Sequence, residues 1–121
     1  MKSLISLLAI VLVIVTGCTR ATRPPGQGVA SENNFRNGVK HYERGHLKQA
    51  IHEFEKAVRK DPANFQAYFY LGLCYKEKDM METAIEHFQK AIDLNINDES
   101  WVIKVKAEME TAGSKKGKGK N

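Results

Sequence analysis

The sequence predicts an all-α fold, in which two helical hairpins stack side by side and a terminal helix caps them as a short α-solenoid. One observation is a repeat, because AIHEFEKAV at 50–58 returns as AIEHFQKAI at 84–92. A second is that apolar residues recur at helical spacing through this part of the chain. A third is physical: one helical hairpin cannot bury its apolar face alone, whereas stacked copies share a core.

The repeat covers most of the chain between Ser31 and Ala112. When 50–58 is aligned on 84–92 and the alignment is extended both ways, the identical pairs include Phe35 with Phe69, Gly38 with Gly72, Ala50 with Ala84, Phe54 with Phe88 and Ala57 with Ala91. A 34-residue period is typical of tetratricopeptide repeats, and this region resembles that family. The positions that carry the resemblance, and that are predicted to pack the repeats, are Gly38, Ala50, Phe54, Ala57, Pro62, Tyr68, Leu71, Gly72, Tyr75, Ala84, Phe88 and Ala91.

The first copy departs from the family pattern at two positions. Asn34 stands where the family usually has a large aromatic residue, and His41 stands where it usually has tyrosine. Phe35, one position after Asn34, is predicted to do part of the work of the missing aromatic side chain.

The turns and boundaries follow from residues with special backbone preferences. The first repeat is predicted at 31–64 and the second at 65–98. Gly45 suits the end of a helix, and the residue before Pro62 is disfavoured in a helix. Asp79 followed by Glu82 resembles a capping box that would open the next helix.

Residues 1–17 are predicted to form a bacterial lipoprotein signal peptide. The apolar run from Leu4 to Val15 is shorter than the roughly 20 residues that a membrane-spanning helix needs. The segment VTGC at 15–18 resembles the lipobox of bacterial lipoproteins. That resemblance implies cleavage before Cys18, a diacylglycerol on its sulfur and an acyl chain on its new amino group. The alternative is an ordinary secretory signal that happens to end in a cysteine.

Two flexible segments are predicted to flank the repeats. Residues 18–30, with paired prolines and glycines, are expected to be a tether.

The repeats are followed by a predicted helix and then by the second flexible segment. Residues 99–112 are predicted to form a capping helix, with Val102, Val105 and Met109 on its inner face. Residues 113–121 form a Lys- and Gly-rich tail that is expected to be disordered, and its alternative role is binding a polyanion.

The resemblance also implies a binding surface, because in this family the first helix of each repeat lines a concave groove. Transferred position by position, the groove residues are Phe35, Val39, Tyr42, Glu43, Gln66, Phe69, Leu73, Lys76, Glu77, Ile103 and Ala107. An apolar patch rimmed by charge suits an extended or helical peptide. The alternative is that the short array curls up and buries these residues, for example on the tether.

Composition argues against several other functions. The net charge is +5, but the excess lies in the two ends, and the part between Ser31 and Ala112 has 12 basic and all 14 acidic residues. A basic nucleic-acid surface is therefore not expected. No two of the four histidines are four residues apart, as zinc-binding helices require. Cys74 lies in an apolar run and is expected to act as a small buried hydrophobe, with a reactive thiol as the alternative.

The sequence therefore predicts a non-enzymatic, membrane-anchored lipoprotein without a metal or cofactor other than the lipid on Cys18. Its groove is expected to bind a protein or peptide of the cell envelope, as an adaptor or assembly factor. The alternative is an envelope scaffold that acts through its lipid anchor and basic tail. The chain is expected in the outer membrane, facing the periplasm, if the source is Gram-negative. A partner or a second copy is expected to add stability, because two repeats make a small core.

Overall fold

The computed structural model describes residues 26–118, with the side chains of all of these except Gln27 and 115–118. The predicted signal peptide, Cys18 and the part of the predicted tether before residue 26 lie outside the described residues, as do residues 119–121. The described part consists of the helices α1 Gln27–Glu43, α2 Leu47–Lys60, α3 Phe65–Glu77, α4 Met81–Leu94 and α5 Glu99–Lys118. There is no strand in this part, and none of its helices is long and apolar enough to cross a membrane.

The helices pack in chain order, which confirms the predicted short α-solenoid. Helices α1 and α2 form hairpin 1, α3 and α4 form hairpin 2, α2 packs on α3, and α5 packs on α4. The chain can stack in this way because α1, α3 and α5 come to lie on one side of the array and α2 and α4 on the other, so that each new helix covers the apolar stripe of the one before.

Each hairpin is held by one close contact between a glycine and a phenylalanine. A Cβ atom at Gly38 would lie 2.6 Å from ring carbons of Phe54, and one at Gly72 would lie 2.5 Å from ring carbons of Phe88. Both phenylalanines have no exposed surface. The helices of each hairpin can therefore approach this closely only because the facing residue has no side chain.

The two hairpin turns have the same backbone bonding. The amide of His46 donates to the His41 carbonyl and the amide of Met80 donates to the Tyr75 carbonyl, both at 2.9 Å. These six-to-one bonds close the ends of α1 and α3, with a residue at positive φ inside each turn. That residue is Gly45 at φ 74° in hairpin 1 and Asp79 at φ 58° in hairpin 2.

The predicted capping box at Asp79 is wrong. The residue that precedes α4 is Met80, and no side-chain hydrogen bond caps the helix there. Asp79 is held in the left-handed region by the end of α3, so its carboxylate is not in the position from which an N-cap acts. Side chains do cap two other helices: Asn64 accepts a hydrogen bond from the Ala67 amide at 3.0 Å, and Asp98 accepts one from the Trp101 amide at 3.1 Å.

Two helix ends lie beyond their predicted positions. Helix α1 begins at Gln27, inside the predicted tether, and Ser31 fixes this first turn because its buried hydroxyl donates to the Ala57 carbonyl at 2.9 Å. Helix α5 continues to Lys118, so residues 113–118 of the predicted tail are helical. Ala112 is fully buried, which holds the backbone in the helix at the point where the predicted tail begins.

Candidate functional site

A cleft of about 500 Å³ opens on the concave side of the array, between α1, α3 and α5. Its nine lining residues come from all three helices: Phe35, Arg36, Val39, Lys40, Gln66, Phe69, Tyr70, Trp101 and Lys104. Three of these, Arg36, Tyr70 and Lys104, are each separated by one repeat period and are therefore the same position of successive repeats. The solenoid thus brings equivalent positions of the two repeats and the cap to one surface.

Aromatic rings form the floor of the cleft. Phe35 meets Tyr70 edge-on at 5.6 Å between ring centroids, and Phe69 meets Trp101 edge-on at 5.2 Å. The indole nitrogen of Trp101 donates to the Ala91 carbonyl at 3.2 Å, which fixes the ring against α4. Edge-on ring contacts of this kind are favourable. The floor is therefore an apolar surface of rings that pack on one another.

The rim of the cleft is cationic. Arg36 and Lys40 lie one turn apart on α1, and Lys104 lies on α5 across the cleft. The ammonium of Lys104 is 5.2 Å from the ring centroid of Phe69 and 5.9 Å from that of Trp101, so a positive charge sits over the aromatic floor. None of the nine described lining residues has a carboxylate.

The rest of the concave side is closed by hydrogen bonds between the helices. The Tyr42 hydroxyl donates to the Glu77 carboxylate at 2.6 Å, which ties α1 to α3. Lys76 forms an ion pair with Glu108 and donates to the Thr111 hydroxyl at 2.9 Å, which ties α3 to α5. Burial, together with the bond to Glu77, raises the pKa of the Tyr42 phenol, so the phenol keeps its proton and this tie persists at physiological pH.

The predicted groove residues fall into two sets. Phe35, Val39, Gln66 and Phe69 line the cleft. The remaining residues lie outside it: Tyr42, Lys76 and Glu77 bond across the concave side, Leu73 packs half-buried on the second core cluster, and Glu43, Ile103 and Ala107 are exposed.

Sequence reasoning missed five lining residues: Arg36, Lys40, Tyr70, Trp101 and Lys104. The transferred family positions on α1 included Phe35 and Val39 but not the adjacent Arg36 and Lys40. The available signal was the period itself, because Arg36 and Lys104 occupy the same repeat position, two periods apart in the chain.

Two titratable side chains away from the cleft, those of Cys74 and His87, serve packing. Cys74 has no exposed surface, and burial raises the pKa of its thiol to about 12. His87 lies between the rings of Tyr68 and Tyr75, and burial lowers the pKa of its imidazole. Within residues 26–118 no group of three or more His, Cys, Asp or Glu side chains is arranged to hold a metal ion.

Other proteins share this fold and part of this sequence. The N-terminal domain of stress-induced protein-1 (STI-1) from C. elegans superimposes with a TM-score of 0.71 at 19% identity, over 76% of this chain and 75% of that one. The Arabidopsis OM64 TPR domain superimposes with a TM-score of 0.68 at 20% identity, over 74% of this chain and 71% of that one. Identities this low show a common fold and no more.

In sequence, the chain is 31% identical over 98 residues to Superkiller complex protein 3 of Homo sapiens and 30% identical over 95 residues to that of Mus musculus. These alignments cover 81% and 78% of this chain but only 6% of either relative.

The family described as Tetratricopeptide repeat matches residues 35–99, which is more than half of the chain. The match extends from the aromatic floor of the cleft on α1 to the first residue of α5, across both hairpin turns. The chain therefore belongs to the tetratricopeptide repeat family.

Proposed function

We propose that this protein is an interaction module that binds a segment of a partner protein in the cleft between α1, α3 and α5. Tetratricopeptide repeat domains bind protein or peptide partners. The observation that carries the proposal is the cleft itself, where the described residues place an apolar floor beside a cationic rim. A surface with these properties gains free energy by taking up an apolar side chain and orienting it with polar contacts.

The cleft is tested by photo-crosslinking in the native cell. A photo-reactive amino acid replaces Gln66, which is exposed in the cleft, or Gln49, which is exposed on α2 at the other side of the array. We expect a discrete protein adduct from position 66 that is absent from position 49. The same adducts from both positions, or none from position 66, would contradict the proposal and leave the envelope-scaffold function predicted as the alternative.

We also propose that the module is anchored to a bacterial membrane, in the cell envelope, through lipid on Cys18. The support is the sequence alone: the apolar run ending in VTGC places a cysteine where the lipobox of bacterial lipoproteins has one. Two or more acyl chains on one residue give stable membrane attachment. Anchoring would hold the cleft near the membrane surface, as expected for an adaptor or assembly factor.

Metabolic labelling with an alkyne analogue of palmitate tests the anchor. Wild type and the Cys74→Ser variant should take up label, whereas Cys18→Ser should not and should leave the membrane fraction. Cys74→Ser is the matched control because it removes the other cysteine of the chain. Absence of label from wild type would reject lipid attachment without bearing on the cleft.

A further inference from the structure

We propose that the segment bound in the cleft is acidic, with side-chain carboxylates on either side of an apolar anchor residue. This rests on the proposed function of the cleft and names the chemistry of its partner. The anchor would lie on the aromatic floor, and the carboxylates would pair with Arg36, Lys40 and Lys104.

The first argument compares the charge of the cleft rim with the net charge of residues 31–112. Between Ser31 and Ala112 acidic residues outnumber basic ones, 14 to 12. The cleft nevertheless has three cations and no carboxylate among its lining residues. The positive rim is thus a local reversal of charge on a slightly acidic body, and such a site attracts anionic partners in preference to neutral ones.

The second argument is where the charges stand. The ammonium of Lys104 lies over the rings of Phe69 and Trp101, so a carboxylate that meets it must adjoin a side chain lying on the floor. Arg36 and Lys40 face it from the opposite wall and are separated by one helical turn. Charges spread over two walls complement several side-chain carboxylates along a segment, rather than a single terminal carboxylate held at one point.

The neighbours of these cations leave them available. Arg36 pairs with Glu32 at 3.0 Å, but both side chains are largely exposed, at 70% and 49%, and exposed ion pairs of this kind are weak. A ligand carboxylate can therefore displace Glu32 from the guanidinium.

The flanking segments of the sequence offer no acidic occupant. Residues 1–30 and 113–121 contain no aspartate or glutamate, whereas Arg20 and Arg23 of the tether and the lysines of the last segment have the same sign as the rim. These segments are repelled from the cleft at low salt. We therefore assign the acidic segment to another protein.

The test uses the full chain in a mild detergent and four short fluorescent peptides, measured by anisotropy. The first has aspartates and glutamates around one phenylalanine, with an amidated C-terminus. The second replaces the acids with asparagine and glutamine, the third replaces the phenylalanine with alanine, and the fourth is the second with a free C-terminal carboxylate. We expect the first to bind about tenfold or more tighter than the others, and to weaken steeply with salt.

Charge-removing variants locate the contact. Arg36→Gln, Lys40→Gln and Lys104→Gln should each weaken binding of the first peptide about two- to fivefold, and the triple variant about tenfold or more. Glu32→Gln should strengthen it about twofold. Lys48→Gln and Lys90→Gln remove exposed lysines from α2 and α4 and should change nothing. Circular dichroism checks that each variant keeps its helices.

Several results would overturn the inference. Equal binding of the acidic and amide peptides would do so, as would failure of both to bind, or an equal loss in the Lys48→Gln and Lys104→Gln variants. Tight binding of the fourth peptide in place of the first would assign the rim to a terminal carboxylate instead. The crosslink from position 66 is measured in the cell without any of these peptides. A failure of the peptide experiment therefore rejects the acidic partner, whereas the interaction function is tested separately by the crosslink.

Discussion

The two helical hairpins share their inner contact and differ on their outer side. In both, a glycine of the first helix meets a fully buried phenylalanine of the second, Gly38 with Phe54 and Gly72 with Phe88. The outer seam, defined as positions 34, 41 and 53 in hairpin 1 and the equivalent 68, 75 and 87 in hairpin 2, has different chemistry in each. The comparison shows that the glycine–phenylalanine contact is common to both hairpins, whereas the chemistry of the outer seam differs between them.

The outer seam of hairpin 1 is polar. The Asn34 amide donates to the Glu53 carboxylate at 2.7 Å, and Lys60 donates to the Asn34 amide oxygen at 3.0 Å. Hydrogen bonds from Lys56 and Asn34 lower the pKa of Glu53, so the carboxylate stays ionised and keeps both bonds. Asn34 thus stands in the place of the usual aromatic residue and bonds to Glu53 and Lys60.

The outer seam of hairpin 2 is aromatic. His87 stacks on Tyr75 at 5.3 Å with the planes 4° apart, and on Tyr68 at 6.2 Å with the planes 27° apart. The lesson is that the inner contact is steric and is the same in both hairpins, whereas the equivalent pairs 34/53 and 68/87 of the seam differ in chemistry.

The largest effect is expected from removing the inner phenylalanines. Phe54→Ala and Phe88→Ala should each lower the free energy of unfolding by about 3–5 kcal/mol, because each leaves a cavity at a site with no exposed surface. Thermal unfolding followed by circular dichroism at 222 nm measures both. If the inner contact is equivalent in the two hairpins, the two losses should agree; a loss below about 1 kcal/mol in either would break the comparison.

Filling the inner glycines should have a smaller effect. Gly38→Ala and Gly72→Ala place a Cβ against a buried ring, which costs about 1–3 kcal/mol by overpacking, while alanine returns up to about 1 kcal/mol of helix propensity. We expect a net loss of about 1 kcal/mol at each site, measured by the same melts. Gly113→Ala in α5 is the control, since a Cβ there meets nothing within 4 Å, and it should be neutral or stabilising.

Exchanging the turn residues should give opposite signs in the two hairpins. Asp79→Gly should stabilise the protein by about 0.5–1 kcal/mol, because glycine adopts the positive φ of this position without strain. Gly45→Asp introduces the strain into hairpin 1 and should destabilise it by a similar amount. The readout is the melting temperature, and changes of the same sign would show that the two turns are not equivalent.

The smallest expected effect is a dependence of the free energy of unfolding on pH, which arises from His87 in hairpin 2. Burial holds the pKa of His87 below its ordinary 6.5. As the pH falls through 6.5, the unfolded chain takes up a proton that the folded chain excludes, so stability falls, and above this range His87 has no effect. His87→Phe keeps a ring between the tyrosines and should flatten stability against pH between about pH 7 and pH 5.5. An unchanged slope in this variant would contradict the prediction.

The sequence was sufficient to predict how the helices stack, because the 34-residue period determines which residues face each other. A 34-residue offset that pairs Gly38 with Gly72 and Phe54 with Phe88 leaves few ways to stack the helices, because the small and large residues must face each other. Phe35, predicted to do part of the work of the aromatic residue missing at position 34, is the repeat equivalent of Phe69. It packs on Phe54 and Tyr70.

Which of the predicted groove residues bond across the concave side instead of lining the cleft depended on side-chain bonds between helices that are far apart in the sequence. Tyr42 and Glu77 are 35 residues apart, as are Lys76 and Thr111, and nothing local indicates that these pairs bond across the concave side. Turn chemistry was a second difficulty. Asp before a helix favours a capping box in sequence, but the end of α3 had already fixed Asp79 at positive φ.

The buried thiol of Cys74 provides a way to measure how often the fold opens. Cys74 belongs to the core cluster that joins α3 to hairpin 1, and a thiol with a pKa of about 12 has almost no thiolate at neutral pH. Since Cys74 also has no exposed surface, alkylating reagents can reach its sulfur only when local or global opening of the fold exposes it. The rate at which Cys74 is modified would then report this opening, and a bound partner that bridges α1 and α3 should slow it.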